Sequence, residues 1–330
     1  MSRLSRTGLI VDVVKYWTFN SKAPAVLGFD VTYRCNQRCS YCGVPEFQAA
    51  ELDTEGALLH LERFIKAGLR FCILGGAEAL VREDVIELAK FLKKHRIAVD
   101  LNTNGFLLPQ RREILQYIDG VAMSLDGPEE IHDKLRGKGA YAAVKRAIEV
   151  AKKAKVPVRL NCTLTKGNLD FIDQIFVEAQ GLPIRFQPVN PVVCKDTDRF
   201  NAAAPQPAQM QLALKKIRRL KKAGAPVLNS YRALDYYMEW PVYSRKVACG
   251  SGRLFCRMDP SGAIYSCAGE LNGLHTPLMD HPTVMDAMKA IEPKDCNACL
   301  CGGTLEMNLL LEGGPFGALL EAQALLRWSR

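Results

Sequence analysis

No stretch of this chain approaches the roughly 20 consecutive apolar residues that a membrane-crossing helix requires, so helical spans are excluded. The first residues carry early positive charge. Asp12 interrupts their apolar stretch, however, and no small-residue cleavage site follows, which argues against a secretory signal. Internal repeats and low-complexity tracts are absent. No aromatic residues interleave with the densest basic block, which leaves nucleic-acid binding without support. The 12 cysteines are many for a cytosolic protein, yet too few and too scattered for a secreted disulfide scaffold. They crowd near residue 40 and between 249 and 301, a distribution that points to metal and a reducing, cytoplasmic setting.

At 330 residues the chain can bury a large core, with room for one domain of about 200 residues and an appendage. The net charge of +9 is spread out except in Leu214 to Lys222, where Leu214, Ile217 and Leu220 recur at helical spacing. A solvated helix face is the first reading of that block. Attraction to an anionic substrate, a phospholipid surface or an acidic redox partner is the second.

From Val26 to Pro191, β-rich runs alternate with longer helical patterns, as in repeated βα units on a parallel sheet. Strands are predicted at Leu27 to Val31, Phe71 to Leu74, Ala98 to Leu101, Gly120 to Ser124, Val158 to Leu164 and Ile184 to Pro188. A helix is predicted from Thr54, as N-cap, to a stop at Gly68. Six units are too few for an eight-stranded closed barrel. The expected division is an N-terminal amphipathic helix (1–24), an α/β domain (25–195), a connector with the basic helix (196–245), a cysteine-rich domain (246–303) that metal must hold together, and a C-terminal amphipathic helix (304–330). Helices strapped across the sheet explain both ends, with a shallow, peripheral membrane contact as the alternative.

Cys35, Cys39 and Cys42 form a C-x3-C-x2-C run directly after the first predicted strand. A four-iron cube normally takes four cysteines, so three on one loop leave an iron free to bind something else. This run resembles the signature of the radical S-adenosylmethionine (SAM) superfamily. The resemblance implies a partial (β/α)6 TIM-like barrel, a [4Fe-4S] cluster on Cys35, Cys39 and Cys42, SAM chelated by the open iron, and a 5′-deoxyadenosyl radical formed on its reductive cleavage. It also implies a flavodoxin- or ferredoxin-type electron donor.

Weaker motifs follow in the family's order. Tyr41 stands where an aromatic residue contacts adenine. Gly76-Ala77-Glu78-Ala79 resembles the G-G-E-P motif that receives the SAM amino group, with Ala79 in place of proline. Asn102 and Asn104 lie in a T-N-G-like turn. Ser124, Asp126 and Arg136 resemble the segment that binds the ribose and carboxylate, although Asp126 equally suits a helix cap. Asn161, Thr163 and Gln187 alternate with apolar neighbours, which suits either a place inside the barrel or a hydrogen-bonded structural role.

Cys249, twelve residues, Gly262, four residues and Cys267 resemble the opening of a Twitch or SPASM domain, and Cys296 and Cys299 complete a four-thiolate set. The full SPASM series would next place a cysteine where Leu305 stands, so the resemblance is to a small Twitch-like domain. It implies an auxiliary iron-sulfur cluster, expected as [4Fe-4S], with zinc as the other occupant. Cys256 and Cys301 are candidate hydrogen-atom donors or substitute ligands. Dehydrogenation of a small-molecule or lipid-like substrate is the favoured reading, because no room is evident for an N-terminal peptide-recognition domain. A radical epimerase or peptide maturase using a cysteine hydrogen donor is the alternative, and a non-catalytic iron-sulfur or zinc scaffold is the rival of another class.

Overall fold

The computed structural model describes residues 23–193, 196–244, 247–267, 275–291 and 299–312. The expected helix at 1–24, Cys194, Cys296 and the apolar pattern of Leu319 to Trp328 therefore lie outside the described residues, apart from Ala23 and Pro24.

Six strands carry the fold: β1 (Val26–Thr32), β2 (Phe71–Gly76), β3 (Ala98–Thr103), β4 (Gly120–Ser124), β5 (Val158–Leu164) and β6 (Ile184–Pro188). They pair in sequence order, all parallel. The connecting helices are α1 (Thr54–Lys66), α2 (Val85–Lys94), α3 (Glu129–Arg136), α4 (Ala140–Lys153) and α5 (Ile172–Ala179). This is the expected α/β partial barrel. Alternate strand residues, among them Leu27, Phe29, Cys72, Leu74 and Leu101, join Leu61 and Phe64 of α1 and Leu88 and Leu92 of α2 in one core. Each such side chain contributes about 1.5–3 kcal/mol by leaving water. The cap of α1 differs from the expectation by one residue. Asp53 is the N-cap, accepting from Gly56 N at 2.8 Å, while Thr54 is the first helical residue and its Oγ1 donates to Asp84. Gly68, at φ +107°, ends the helix as its position suggested.

Two short strands, β7 (Val192–Val193) and β8 (Asp196–Phe200), form a separate ribbon. Beyond it, α6 (Pro207–Lys222) buries Met210, Ala213, Leu214 and Ile217 and turns its basic residues outward. Several of those charges are engaged, Lys216 with Asp173 and Arg218 with Asp235. Residues 226–229 then cover the exposed edge of β6. Ile184 N donates to Pro226 O, Leu228 N donates to Ile184 O, and the amide of Asn229 both accepts from Phe186 N and donates to Phe186 O, each at 2.8 Å. Asn229 supplies with a side chain the pairing a further strand would give.

The cysteine-rich segment departs from the expectation of a separate, metal-held domain. β9 (Phe255–Met258) pairs in parallel with β1, β10 (Ala263–Tyr265) returns antiparallel to it, and β11 (Thr276–Pro277) follows, so nine strands form one sheet in the order β11-β10-β9-β1-β2-β3-β4-β5-β6. The predicted hairpin is present, but it extends the barrel sheet and shares its core through Met258 and Ile264. After α7 (Tyr231–Tyr237) and α8 (Val284–Ala290), the last described helix, α9 (Gly302–Glu312), begins inside the expected cysteine-rich domain. Leu305, Glu306, Asn308, Leu309, Leu310 and Leu311 are all buried, so its described part has no broad wet face. It spans the open side of the barrel. Gly302 N donates to Gln187 of β6, Glu306 accepts from Ser230 N ahead of α7, and Asn308 accepts from Gly250 N ahead of β9.

Asn229→Ala is expected to destabilise the protein by about 1–3 kcal/mol, because two buried backbone groups lose their partners. Chemical denaturation measures it, and a cost near zero would mean that the β6 edge is held by other contacts.

Candidate active site

Strand alternation sets one polar face toward the barrel interior. Paired registers place Asp30 of β1, Asp100 and Asn102 of β3, Ser124 of β4, Arg159, Asn161 and Thr163 of β5, Arg185 and Gln187 of β6, and Arg257 of β9 on the side opposite the apolar core. Asn161, Thr163 and Gln187 thus take the inward of their two expected places, and Ser124 pairs with Asn161 across the strands. Arg159 is ion-paired with Asp100. Arg257 is ion-paired with Asp30, and the Tyr265 hydroxyl donates to the same carboxylate.

The loop carrying Cys35, Cys39 and Cys42 leaves β1 and lies over these strand ends. Thr32 Oγ1 donates to Glu51, whose carboxylate also binds Arg34, and this fixes the start of the loop. Cys42 N donates to Cys39 O in a tight turn, and Ser40 N donates to Leu135 O of α3. Gln37 N points at Cys35 Sγ at 3.3 Å, Asn104 Nδ2 lies 3.9 Å from the same sulfur, and Arg136 Nη1 lies 4.0 Å from Cys39 Sγ. Burial pushes the Cys35 and Cys39 thiols up, against the pull of Gln37 N on the first and Arg136 on the second. A bound metal reverses that balance, since a coordinating thiol is deprotonated outright. Three partly exposed thiols, ringed by N–H donors on one loop, form a donor set that fits an iron-sulfur cluster.

The G-G-E-P-like segment is tied to this loop by backbone bonds, Ala77 N to Thr32 O and Glu78 N to Arg34 O. Gly76 has φ +104°, and a Cβ there would lie 2.3 Å from Thr32 O, so only glycine fits. Glu78 does not face the barrel mouth as a receptor for an ammonium group. It is fully buried, and its carboxylate accepts from Leu80 N, Thr103 Oγ1 and Asn104 N. Burial nevertheless holds its pKa above the usual carboxylate range. Its role here is to join the β2 and β3 loops. Asn104, so positioned, donates to Asn36 at 2.7 Å and reaches Cys35.

Asp126 is likewise not a helix cap, for Pro128 precedes α3 in that position. Its carboxylate, with no exposure, accepts from Tyr41 Oη at 2.7 Å, Arg136 Nε at 2.5 Å and Thr163 N at 2.9 Å. Burial opposes its ionisation, but Arg136, His132 and the Thr163 N–H together outweigh burial and keep it below the usual range. Tyr41 is engaged through its ring as well, with the Arg136 guanidinium 5.5 Å from the ring centroid. His132 Nδ1 accepts from Asp126 N, and burial beside Arg136 lowers its pKa to about 4.

The second cysteine group assembles around α9. Asn308 Nδ2 lies 3.8 Å from Cys249 Sγ and 3.4 Å from Cys299 Sγ, and Cys267 and Cys301 also stand within electrostatic reach of Cys299. Among the described residues no three cysteine, histidine or carboxylate side chains are gathered tightly enough to hold a single metal ion. The structure separates the two candidate hydrogen donors. Cys256 pairs with Leu27 on the outer side of the sheet and is buried in the core, out of reach of the barrel interior. Cys301 precedes α9. Burial opposes its ionisation, but hydrogen bonds from Thr304 and Gly303, together with nearby Arg257, hold the thiol below its usual value. The Asp30–Arg257–Tyr265 network and the unpartnered Arg185 carried no signal in the sequence, whereas Asn36, inside the cysteine run, did.

Residues 29–172 match the sequence profile of the radical SAM superfamily. The chain is 34% identical over 170 residues to an AdoMet-dependent heme synthase from Methanosarcina barkeri, which covers 49% of this chain and 49% of that protein, so it spans about half the length of that relative. It is 27% identical over 304 residues to the mycofactocin maturase MftC of Mycolicibacterium smegmatis, covering 85% of this chain and 76% of that one. The crystal structure of Streptococcus suis SuiB bound to precursor peptide SuiA shares the fold at a TM-score of 0.66 and 14% identity, over 92% of this chain and 77% of that chain.

Gly76→Ala is expected to lose more than about 1 kcal/mol of stability, through its positive φ and the clash with Thr32 O; an unchanged denaturation midpoint would refute that placement. His132 titrates near 6.5 when unfolded and about 4 when folded. Its contribution to stability is therefore complete above pH 6.5 and lost as the pH falls toward 4. A His132→Asn variant should show a shallower decline in denaturation midpoint across that window than the parent protein.

Proposed function

Since residues 29–172 form a radical SAM domain, we propose that this protein binds SAM beside a [4Fe-4S] cluster held by Cys35, Cys39 and Cys42 and takes a hydrogen atom from an organic substrate enclosed by the barrel. The observation that carries the reading is the seating of the three thiols over the strand ends, above an inward face of amides, hydroxyls and charged groups. When bound, the cluster and SAM together supply a 5′-deoxyadenosyl radical, with the electron coming from a flavodoxin- or ferredoxin-type donor.

The chain's own residues bind and orient. Asp126 fixes Arg136 beside Cys39, and Glu78 fixes Asn104 beside Cys35, so two cationic or amide donors border the thiols without being free to swing away. Ser124 and Asn161, adjacent on β4 and β5, face inward, and Asn161 Oδ1 is buried without a partner. A ribose hydroxyl suits that waiting acceptor. Asn102, exposed on the same face, offers a further amide.

Cys249, Cys267 and Cys299, with Cys296 or Cys301 as the fourth ligand, are the proposed holders of an auxiliary iron-sulfur cluster. Such a cluster suits an oxidative, dehydrogenation-type outcome, because it offers a place for a second electron. Cys301 suits ligation, since it stands beside Cys299 with hydrogen bonds from Thr304 and Gly303 and nearby Arg257 favouring its ionised form. The likeness to a maturase along most of the chain favours a peptide substrate over the small or lipid-like molecule expected from the sequence. The half-length likeness to a heme synthase supports the small molecule as the second reading.

In anaerobically reconstituted protein under dithionite, joint replacement of Cys35, Cys39 and Cys42 by alanine should abolish 5′-deoxyadenosine formation from SAM and remove about half of the iron. Retained deoxyadenosine would defeat the assignment of the catalytic cluster. Joint replacement of Cys249, Cys267 and Cys299 should remove the other half, and unchanged iron would defeat the auxiliary site.

A further inference from the structure

Among the described residues, three arginines face the barrel interior, and two of them are neutralised in place. Arg159 is ion-paired with Asp100, and Arg257 with Asp30. Arg185, on β6, makes neither an ion pair nor a hydrogen bond among the described residues, and its Nε is buried without a partner. Its side chain lies along the first turn of α9, where a Cβ on Gly302 would come within 2.8 Å of Arg185 Cδ, so the glycine makes the room the arginine occupies. Glu306 acts on it from the same helix, but that carboxylate accepts from Ser230 N. Burial and the neighbouring Arg159 both lower its pKa, and the side chain keeps partial exposure. A partly buried guanidinium without a hydrogen-bond partner is satisfied by an acceptor of opposite charge.

We propose that Arg185 receives a carboxylate of the substrate, at the side of the barrel where β6 meets the N-terminus of α9; this rests on the reading that the barrel encloses an organic substrate. The carboxylate belongs to the substrate and not to SAM, because the thiol loop is bordered by Arg136 and Asn104, whereas Arg185 adjoins Gly302 and Cys301.

The test uses the full chain, anaerobically reconstituted, with acetate, propionate and hippurate as probes and their neutral amides as controls. At least one carboxylate should bind wild type about 10- to 100-fold more tightly than its amide, the range set by one charge-assisted hydrogen bond, and Arg185→Met should erase the difference. The SAM dissociation constant should stay within about threefold. If Arg185→Met instead weakens SAM by more than about tenfold, the carboxylate is that of SAM and the assignment is overturned. Equal binding of acids and amides to wild type overturns it as well. Thermal melts supply a second measure: Arg185→Met should melt at or above wild type, while Arg159→Met, which strands Asp100, should melt below it. An equal fall in both would make Arg185 structural and overturn the proposal. Formation of 5′-deoxyadenosine by the same preparations is scored separately. Its absence alongside Arg185-dependent carboxylate binding would refute the enzymatic reading and leave the anion site standing.

Discussion

A carboxylate removed from water must find its hydrogen bonds in the protein or become neutral, and Asp126 finds three, from Tyr41, Arg136 and Thr163 N. Asn168 Nδ2 donates to its carbonyl, and its N–H goes to His132. One residue therefore joins β4, β5, α3 and the cysteine loop. Without the charge on Asp126, Arg136 would be a buried cation beside thiols that must ionise to bind metal. With it, the guanidinium is both held and neutralised, and the loop that carries Cys39 has a fixed floor. Glu78 does the same on the opposite side, with neutral donors in place of a cation.

The hydrophobic periodicity was enough to place the barrel strands. Gly120 to Ser124, Val158 to Leu164 and Ile184 to Pro188 are found where alternation and flanking turns put them. The cysteine run was legible for a different reason, since its chemistry depends on spacing within one loop. Roles that depend on the far side of the fold were not legible. Asp126 reads locally as part of a ligand-binding segment or as a cap, and Glu78 as a ligand residue; in the structure their carboxylates bind partners 25 to 85 residues away in the chain. Cys256 and Cys301 looked equivalent until strand register sent one to the outer core and a helix start brought the other beside Arg257.

The same limit applies to the way the cysteine-rich segment joins the barrel sheet. A segment of fewer than 60 residues with few periodic apolar positions reads as too small for its own core, and it does not build one. It borrows the edge of β1, whose residues pair on one side with β2 and on the other with β9. Pairing with an existing sheet needs only a short run of compatible side chains, so the composition of the segment gave no warning. The consequence for the site is that the first cysteine loop and the strands beside the second group belong to one sheet, with α9 contacting both β6 and the segment ahead of β9.

That shared strand also orders events during synthesis. Asp30 and Arg257 are 227 residues apart, so β1 leaves the ribosome and pairs with β2 long before its second neighbour exists. Until then the strand carries an open edge in a nascent chain that is otherwise able to form its βα units one after another. The thiol loop grows directly from that strand and is complete early, whereas the second group of cysteines arrives last. The residues of the first cysteine loop are thus made and anchored on β1 and β2 well before those of α9, which closes against β6 last.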